Sequence, residues 1–352
     1  MPSDKLAAVR GILKRFTTPL LPDDYSALIN PLWSTRELRG KIVRVQRDLE
    51  VVHLDIIPGW GVPTDFHAGQ YIGIGVLVDG RYTWRSYSLT NAPGHGHGTL
   101  SITVRAVGKG KLSNHLVDNV VPGTTIRLLA PAGEFHLTDP LPPAIAFVTA
   151  GTGLTPVISM LRTMDERGQF EDTDVVLVHS ARTQDDVLFA SELRRLADAH
   201  PRLHVHTQIT GEQGRISPAQ LPELIPGIGD RVVYACGPAG MLDELEDWAK
   251  ENRVELKTER FTLERESDAQ GGTITFPGRA TVEVDGATTI LEAGEKAGVN
   301  LPFGCRMGVC HTCVRPLVEG HAHNLVTGEV HEPGSRVRTC VSVAAGDLTI
   351  EP

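Results

Sequence analysis

Phe303-Gly304-Cys305-Arg306-Met307-Gly308-Val309-Cys310-His311-Thr312-Cys313 is the stretch from which the rest of this 352-residue chain can be read. Its three cysteines fall at the spacing Cys-x4-Cys-x2-Cys, and a fourth, Cys340, follows after 26 intervening residues. Four thiolates, three from one wrapping loop and one from a distant segment, are what a [2Fe–2S] cluster requires. Gly304 and Gly308 let the loop backbone approach the sulfurs and aim N–H groups at them, which offsets the negative charge of the cluster. Structural zinc is the competing reading, but it usually takes two short Cys knuckles, and only one such pair is present.

Composition bounds what surrounds this loop. At roughly 100 to 200 residues per domain, the length calls for two or three domains. A chain 41% hydrophobic and 22% charged, with 36 Gly and 23 Pro, is ordinary globular protein rather than disordered or fibrous. A net charge of -9 excludes a general nucleic-acid binder, which needs a basic surface to displace counterions from phosphates. No apolar run approaches the ~20 residues that span a bilayer, and Met1-Pro2-Ser3-Asp4-Lys5 does not open a secretory segment. The expectation is a cytoplasmic protein. Four of the five cysteines crowd into the last 48 residues, which in a reducing compartment points to metal rather than disulfides.

Changes of hydrophobic period divide the chain. Residues 1–37 form an extension. Residues 38–139 read as short strands (41–45, 51–57, 71–76, 99–104 and 125–129) separated by Gly, Pro, Asn and Asp, the pattern of an antiparallel barrel. Residues 140–262 alternate strand and helix: 144–149 is a buried strand, then Val157, Ile158, Leu161 and Met164 recur at helical spacing. Strands at 175–179, 203–206 and 231–235 follow, giving a doubly wound parallel sheet. Residues 263–272 are a polar, glycine-ended linker, and 273–352 make a third domain. There, Asp285-Gly286 is expected to turn a hairpin between 280–284 and 287–290, with a short helix from Glu292.

Two further regions suit nucleotides. Arg85-Ser86-Tyr87-Ser88-Leu89, just after a strand, can supply an arginine for a pyrophosphate, a tyrosine ring to lie on an isoalloxazine, and a hydroxyl, Ser88, for flavin N5. After the strand ending at Val104, Gly110-Lys111-Leu112-Ser113 opens a helix whose free N–H groups favour phosphate. A phosphate cradle beyond the ring site argues for FAD over FMN. Gly151-Thr152-Gly153-Leu154-Thr155-Pro156 joins strand to helix and attracts a second pyrophosphate. Cys236-Gly237-Pro238, with Met241 beyond, ends a later strand, where such sheets bind ligands. Ser180 and Arg182 end the second strand, the place where an arginine accommodates a 2′-phosphate, so NADPH is expected ahead of NADH despite Asp185 and Asp186 nearby.

Together these motifs resemble the ferredoxin–NADP reductase superfamily, in the order flavin domain, nicotinamide domain, ferredoxin domain, over about 38–352. The resemblance implies a six-stranded Greek-key FAD barrel, an NAD(P) domain and a β-grasp plant-type ferredoxin domain with Cys305, Cys310, Cys313 and Cys340 as cluster ligands. It implies catalytic roles for Ser88 and Tyr87 at the flavin, and for Cys236 near the nicotinamide. Thr18-Pro19-Leu20-Leu21-Pro22-Asp23-Asp24-Tyr25 and Asn30-Pro31-Leu32-Trp33-Ser34 are similar to reductases serving stearoyl-CoA desaturase, so the implied partner is a membrane fatty-acyl desaturase. Similar chains serve Rieske-type and other oxygenases, and a redox-responsive binding protein is the rival from another class. NADPH gives electrons in pairs whereas the cluster takes one at a time, and a flavin bridges the two.

Lys5 to Phe16 place Leu6, Val9, Leu13 and Phe16 at helical spacing among basic residues, suited to an anionic membrane surface or to packing on the flavin domain. The histidines of Gly94-His95-Gly96-His97-Gly98 and His321-Ala322-His323 read as solvated turns.

Overall fold

The computed structural model describes residues 22–34, 37–78, 81–95, 98–107, 110–261, 271–286, 288–304, 308, 311–325 and 327–352. Before the barrel, helix α1 (Pro22–Ile29) leads into a single helical turn capped by the Asn30 side chain, and Trp33 stacks on Trp60 at 4.9 Å. The amphipathic stretch Lys5 to Phe16 lies outside the described residues.

The barrel comprises β1 (Arg39–Asp48), β2 (Val51–Pro58), β3 (Tyr71–Val78), β4 (Arg81–Ser88), β5 (Leu100–Arg105) and β6 (Thr125–Leu128), in the order β4-β3-β6-β1-β2-β5. Alternation drives it: Val52, Leu54 and Ile56 are buried while His53 and Asp55 between them are not. A bridge between Leu89 and Ile102, with Thr90 N donating to Ser101 O at 2.8 Å, joins β4 to β5 and closes the sheet. Helix α2 (Lys111–Asp118) buries Leu112, Leu116 and Val117 in the barrel core. The segment Arg85–Ser88, expected just after a strand, is instead the end of β4. It is the sixth strand that the five apolar runs did not reveal, because its alternating residues are mostly polar.

The parallel sheet is built from β7 (Ala144–Ala150), β8 (Asp174–Ala181), β9 (Leu203–Ile209), β10 (Val232–Cys236) and β11 (Glu255–Glu259), ordered β11-β10-β7-β8-β9. Helix α3 (Leu154–Glu166) covers one face with Val157, Ile158, Leu161 and Met164, all fully buried. Helices α4 (Ala190–Ala199) and α5 (Ala239–Asn252) complete the crossovers. Arg231, at the base of β10, is 9% exposed and ties three chain segments together. It donates to Pro226 O at 3.0 Å, to Ile145 O at 3.4 Å, to Asp174 O at 3.2 Å and to the Asp174 carboxylate.

The C-terminal region contains β12 (Gly272–Phe276), β13 (Ala280–Val284), helix α6 (Ile290–Lys296), β14 (Val314–Glu319), β15 (Ala322–Asn324), β16 (Val330–His331), β17 (Arg336–Arg338), β18 (Ser342–Ala344) and β19 (Leu348–Ile350). The order β13-β12-β19-β14-β17, with β12 parallel to β19 and the helix packed against the sheet, is a β-grasp. The hairpin expected at Asp285-Gly286 does not form there; β13 pairs with β12 instead. The reason is a stronger competing signal: Thr289 caps α6, accepting from Glu292 N at 3.3 Å while Glu292 reaches back to Thr289 N at 3.2 Å. His323 likewise sits on β15 rather than in a turn.

Two compact units result. One holds the barrel and parallel sheet, and the other holds the C-terminal sheets with Trp84–Ser86 and Pro238–Met241. Among the described residues no helix is long and apolar enough to cross a membrane.

Because Arg231 satisfies a carboxylate and three carbonyls in a buried position, Arg231→Ala should lower unfolding free energy by about 3 kcal/mol. Urea titration of the two proteins checks this; a loss under about 1 kcal/mol would show that water replaces the guanidinium without penalty.

Candidate functional site

The order of the parallel sheet places its switch point between β7 and β10, whose following loops leave in opposite directions and open a crevice at their carboxyl ends. Both glycine motifs lie there. β7 runs into a helical turn, Gly151–Gly153, in which Gly151 has φ +55°, and α3 begins at once. Thr155 Oγ1 donates to Thr152 O at 2.9 Å and holds the turn. Gly153 packs on the end of β10 so closely that an added Cβ would stand 2.0 Å from Cys236 O. The structure thus brings together the Gly151–Pro156 and Cys236–Gly237 segments, which are 80 positions apart in sequence at their nearest ends.

Strand register lines up Glu259, Cys236, Thr149 and His179 as a row across this end of the sheet. Two residues back on the same face, Tyr234, Phe147 and Leu177 form an apolar and aromatic row with Lys257 at its β11 end. Burial sets the charge of each member. Glu259 is partly exposed as a residue, but its Oε2 is buried without a partner, and burial pushes its pKa up to about 8. The Cys236 thiol is fully buried, and burial, then the nearby Glu259, push it well above its ordinary range, so it stays protonated. His179 Nδ1 lies 2.8 Å from Thr149 Oγ1; burial, then Arg105, hold its pKa down to about 4. At neutral pH the row is uncharged. Its distinctive group is a carboxylic acid that keeps its proton and can donate a hydrogen bond beside Cys236.

Glu259 is the site residue that sequence reading missed. The available signal was an acid at the last position of β11, level with Cys236. An added Cβ on Gly133 of the barrel would lie 3.7 Å from Glu259 Oε1, which places this carboxyl where barrel and sheet meet.

On β4, Ser86 Oγ and Ser88 Oγ are both buried and lack a hydrogen-bond partner. Orphaned buried hydroxyls are costly unless a ligand meets them, so the donor set fits a bound flavin. Tyr87 is half-buried against the barrel core, and Arg85 is exposed, donating to Trp84 O at 2.7 Å. Gly110 caps α2, and a Cβ there would stand 2.3 Å from Ser113 Oγ, which bridges Val107 N and Gly110 O at 3.3 Å each. The side chains of Leu89, Val104 and Leu112, three further expected cofactor contacts, belong to the barrel core, at 0%, 1% and 2% exposure. Val104 turns inward by strand alternation, Leu112 lies on the core-facing side of α2 and Leu89 packs just past β4, so their backbones remain available.

Ser180 is partly exposed on β8, and Arg182 just beyond it is exposed. Pro238 and Met241 fall in the other compact unit, at the start of α5. In that unit Cys313 and Cys340 are buried, with Sγ atoms 3.2 Å apart. That is well beyond the ~2.05 Å of a disulfide and close enough for both to ligate one metal atom. Thr339 Oγ1 donates to Cys313 O at 3.0 Å, and Gly308, at φ +77°, lies so close to Val341 that an added Cβ would stand 3.0 Å from its side chain. Cys305, Cys310 and Lys111's neighbours at 108–109 lie outside the described residues.

Family models match in three blocks: an oxidoreductase FAD-binding domain over 42–137, an oxidoreductase NAD-binding domain over 147–247 and a 2Fe-2S iron-sulfur cluster binding domain over 274–345. A Mycobacterium tuberculosis protein described as NADPH oxidoreductase is 50% identical, covering 98% of this chain and 92% of its own. The glycine betaine monooxygenase reductase subunit of Chromohalobacter salexigens is 25% identical over 81% of this chain and 87% of its own. Phthalate dioxygenase reductase shares the fold at TM-score 0.64 and 23% identity, covering 90% of this chain and 98% of its own.

The raised Glu259 pKa makes a directional prediction. A folded-state pKa of about 8 against 4.5 means that the stabilising contribution is complete below 4.5 and lost as pH rises towards 8. Relative to Glu259→Gln, the wild-type protein should therefore lose stability steadily across that window and no further above it. Urea midpoints at several pH values test this; parallel curves for the two proteins would mean that Glu259 ionises normally.

Proposed function

We start from the premise that the chain belongs to the ferredoxin–NADP reductase superfamily, as a reductase linking NAD(P)H, FAD and a [2Fe–2S] cluster, and propose that its donor is NADPH and its acceptor an oxygen-activating membrane fatty-acyl desaturase. The donor assignment is carried by one observation: Arg182, exposed and with no side-chain hydrogen bond among the described residues, immediately follows β8, whose Ser180 pairs with Ala150 at the start of the Gly151–Gly153 turn. The relative described as an NADPH oxidoreductase supports it. The desaturase outlet is supported by the Thr18–Tyr25 and Asn30–Ser34 phrases. A soluble non-haem oxygenase is the second reading, favoured by the relative described as a monooxygenase reductase subunit.

When bound, FAD couples a donor of electron pairs to a cluster that accepts single electrons. The protein's task is placement. In this reading Arg85 and the start of α2 hold the flavin dinucleotide phosphates, Tyr87 lies on the ring, and Ser88 Oγ donates to ring N5. Gly151–Gly153 and the start of α3 receive the NADPH pyrophosphate, and Ser180 and Arg182 its 2′-phosphate. Glu259 keeps a proton on its carboxyl beside Cys236, so a proton is available at the reacting end of the crevice. Cys305, Cys310, Cys313 and Cys340 hold the cluster.

Ser88→Ala should lower kcat for NADPH-driven ferricyanide reduction roughly tenfold or more while leaving KM for NADPH near the wild-type value. Stopped-flow reduction of the flavin is the check, and an unchanged rate removes Ser88 from the site. Reconstitution with a membrane fatty-acyl desaturase, under NADPH and NADH separately, tests the outlet. Product formed only with a soluble oxygenase would replace the desaturase, and equal turnover with NADH would refute the role of Arg182.

A further inference from the structure

The charges of two arginines act on one carboxylate just past β8, and one of them pairs with it. Asp186 closes a capping turn: its Oδ2 accepts from Thr183 N at 3.2 Å and from Thr183 Oγ1 at 2.9 Å. Its Oδ1 faces Arg105 Nη1 at 3.0 Å, and Arg105 Nη2 also donates to the Asp186 carbonyl at 2.8 Å. Arg105 is the last residue of β5, so the barrel reaches across to the nucleotide loop of the parallel sheet. On the other side, Thr210 Oγ1 donates to Ala181 O at 3.2 Å and Gly211 N to Arg182 O at 3.1 Å. The backbone of Ala181 and Arg182 is therefore pinned while the Arg182 side chain is exposed, with no hydrogen bond or ion pair among the described residues. Burial opposes ionisation of Asp186, yet the Thr183 hydrogen bonds and the charges of Arg105 and Arg182 hold its carboxyl below the ordinary range. Arg182 is thus within electrostatic reach of the carboxylate that Arg105 already engages.

We propose that Arg105 is a specificity-determining residue of the nucleotide site: by engaging Asp186 it leaves Arg182 free to receive the 2′-phosphate of NADPH. The inference rests on the reading of Arg182 given above. Arg182, Asp185 and Asp186 alone carry one net negative charge, and Arg105 brings that loop to neutrality. Without Arg105, Asp186 has two competing uses. It can pair with Arg182 and repel a phosphate, or it can accept from a ribose diol, which is how an acid at this point of such a sheet selects NADH. The sequence places Arg182 and Asp186 four residues apart, and only the barrel's arginine decides which of them the nucleotide meets.

The test is isothermal calorimetry on the full-length holoprotein with 2′-phospho-ADP-ribose and ADP-ribose, alongside thermal melts. Arg105→Met should weaken 2′-phospho-ADP-ribose roughly tenfold and leave ADP-ribose within about twofold. Adding Asp186→Asn to that variant should restore the phosphate-bearing ligand to within about twofold of wild type, because the charge that Arg105 neutralised is gone. Asp186→Asn alone keeps Arg105 and should bind at least as well as wild type, which guards against an Arg105 variant that folds poorly. Arg182→Ala separates the two claims. If it abolishes the preference for the phosphate-bearing ligand while Arg105→Met does not change it, the role of Arg105 is wrong and that of Arg182 stands. If wild type itself does not distinguish the ligands, both fall. If Arg105→Met weakens both ligands equally, or Asp186→Asn gives no rescue, Arg105 holds the fold or a shared phosphate and does not set specificity.

Discussion

The close approach of Gly153 to the carbonyl of Cys236 is the contact on which the nucleotide end of this molecule depends. A Cβ at that position would stand 2.0 Å from Cys236 O, so only glycine lets the turn after β7 lie on the end of β10. That packing seats the turn directly on the switch point between β7 and β10. It sets the first turn of α3 against Cys236 and brings the row from Glu259 to His179 under one floor. The same strand ends carry Ser180 on one side and Glu259 on the other.

Electrostatic neutrality is the second organising constraint. Ionised groups this deeply buried would each cost several kcal/mol, and the row avoids that by keeping a proton on Glu259 and Cys236 and leaving His179 uncharged. Further out, where water can assist, charges are retained and paired. Arg105 joins Asp186 at 3.0 Å, and Arg162 grips Glu192 at 2.6 and 2.8 Å while donating to Thr90 O at 2.6 Å. Ser159 Oγ adds a bond to Asn91 O at 2.7 Å. Barrel and parallel sheet are therefore joined by directional polar contacts around an apolar seam, where Phe135 meets Tyr234 edge-on at 5.7 Å. Such contacts fix orientation, which a reaction between two bound dinucleotides requires.

Much of this was legible in order along the chain. The cysteine spacing could be read because three ligands to one cluster must be delivered by a single loop at short, fixed separations. The Gly151–Pro156 turn could be read because a strand, two glycines and a helix start have few other uses. Where reading failed, two local signals competed. Asp285-Gly286 is a good hairpin turn, but Thr289 and Glu292 form a capping box that claims the next residues for α6. Arg85 to Ser88 alternate in polarity too weakly to announce a strand, yet they complete the barrel. Leu89, Val104 and Leu112 belong to expected cofactor segments, and the inward turn of their side chains, set by packing, is not visible in the motifs.

The sequence by itself determined the modular order and the kinds of groups each module can hold. Both depend on covalent spacing and on the period of apolar residues, which are properties of the chain. Only the tertiary structure decided the protonation of Glu259, the neutrality of His179 and the partner of Asp186. Those depend on burial and on charges brought near through space: Arg105 lies 81 residues from Asp186 along the chain and 3.0 Å from it in the fold.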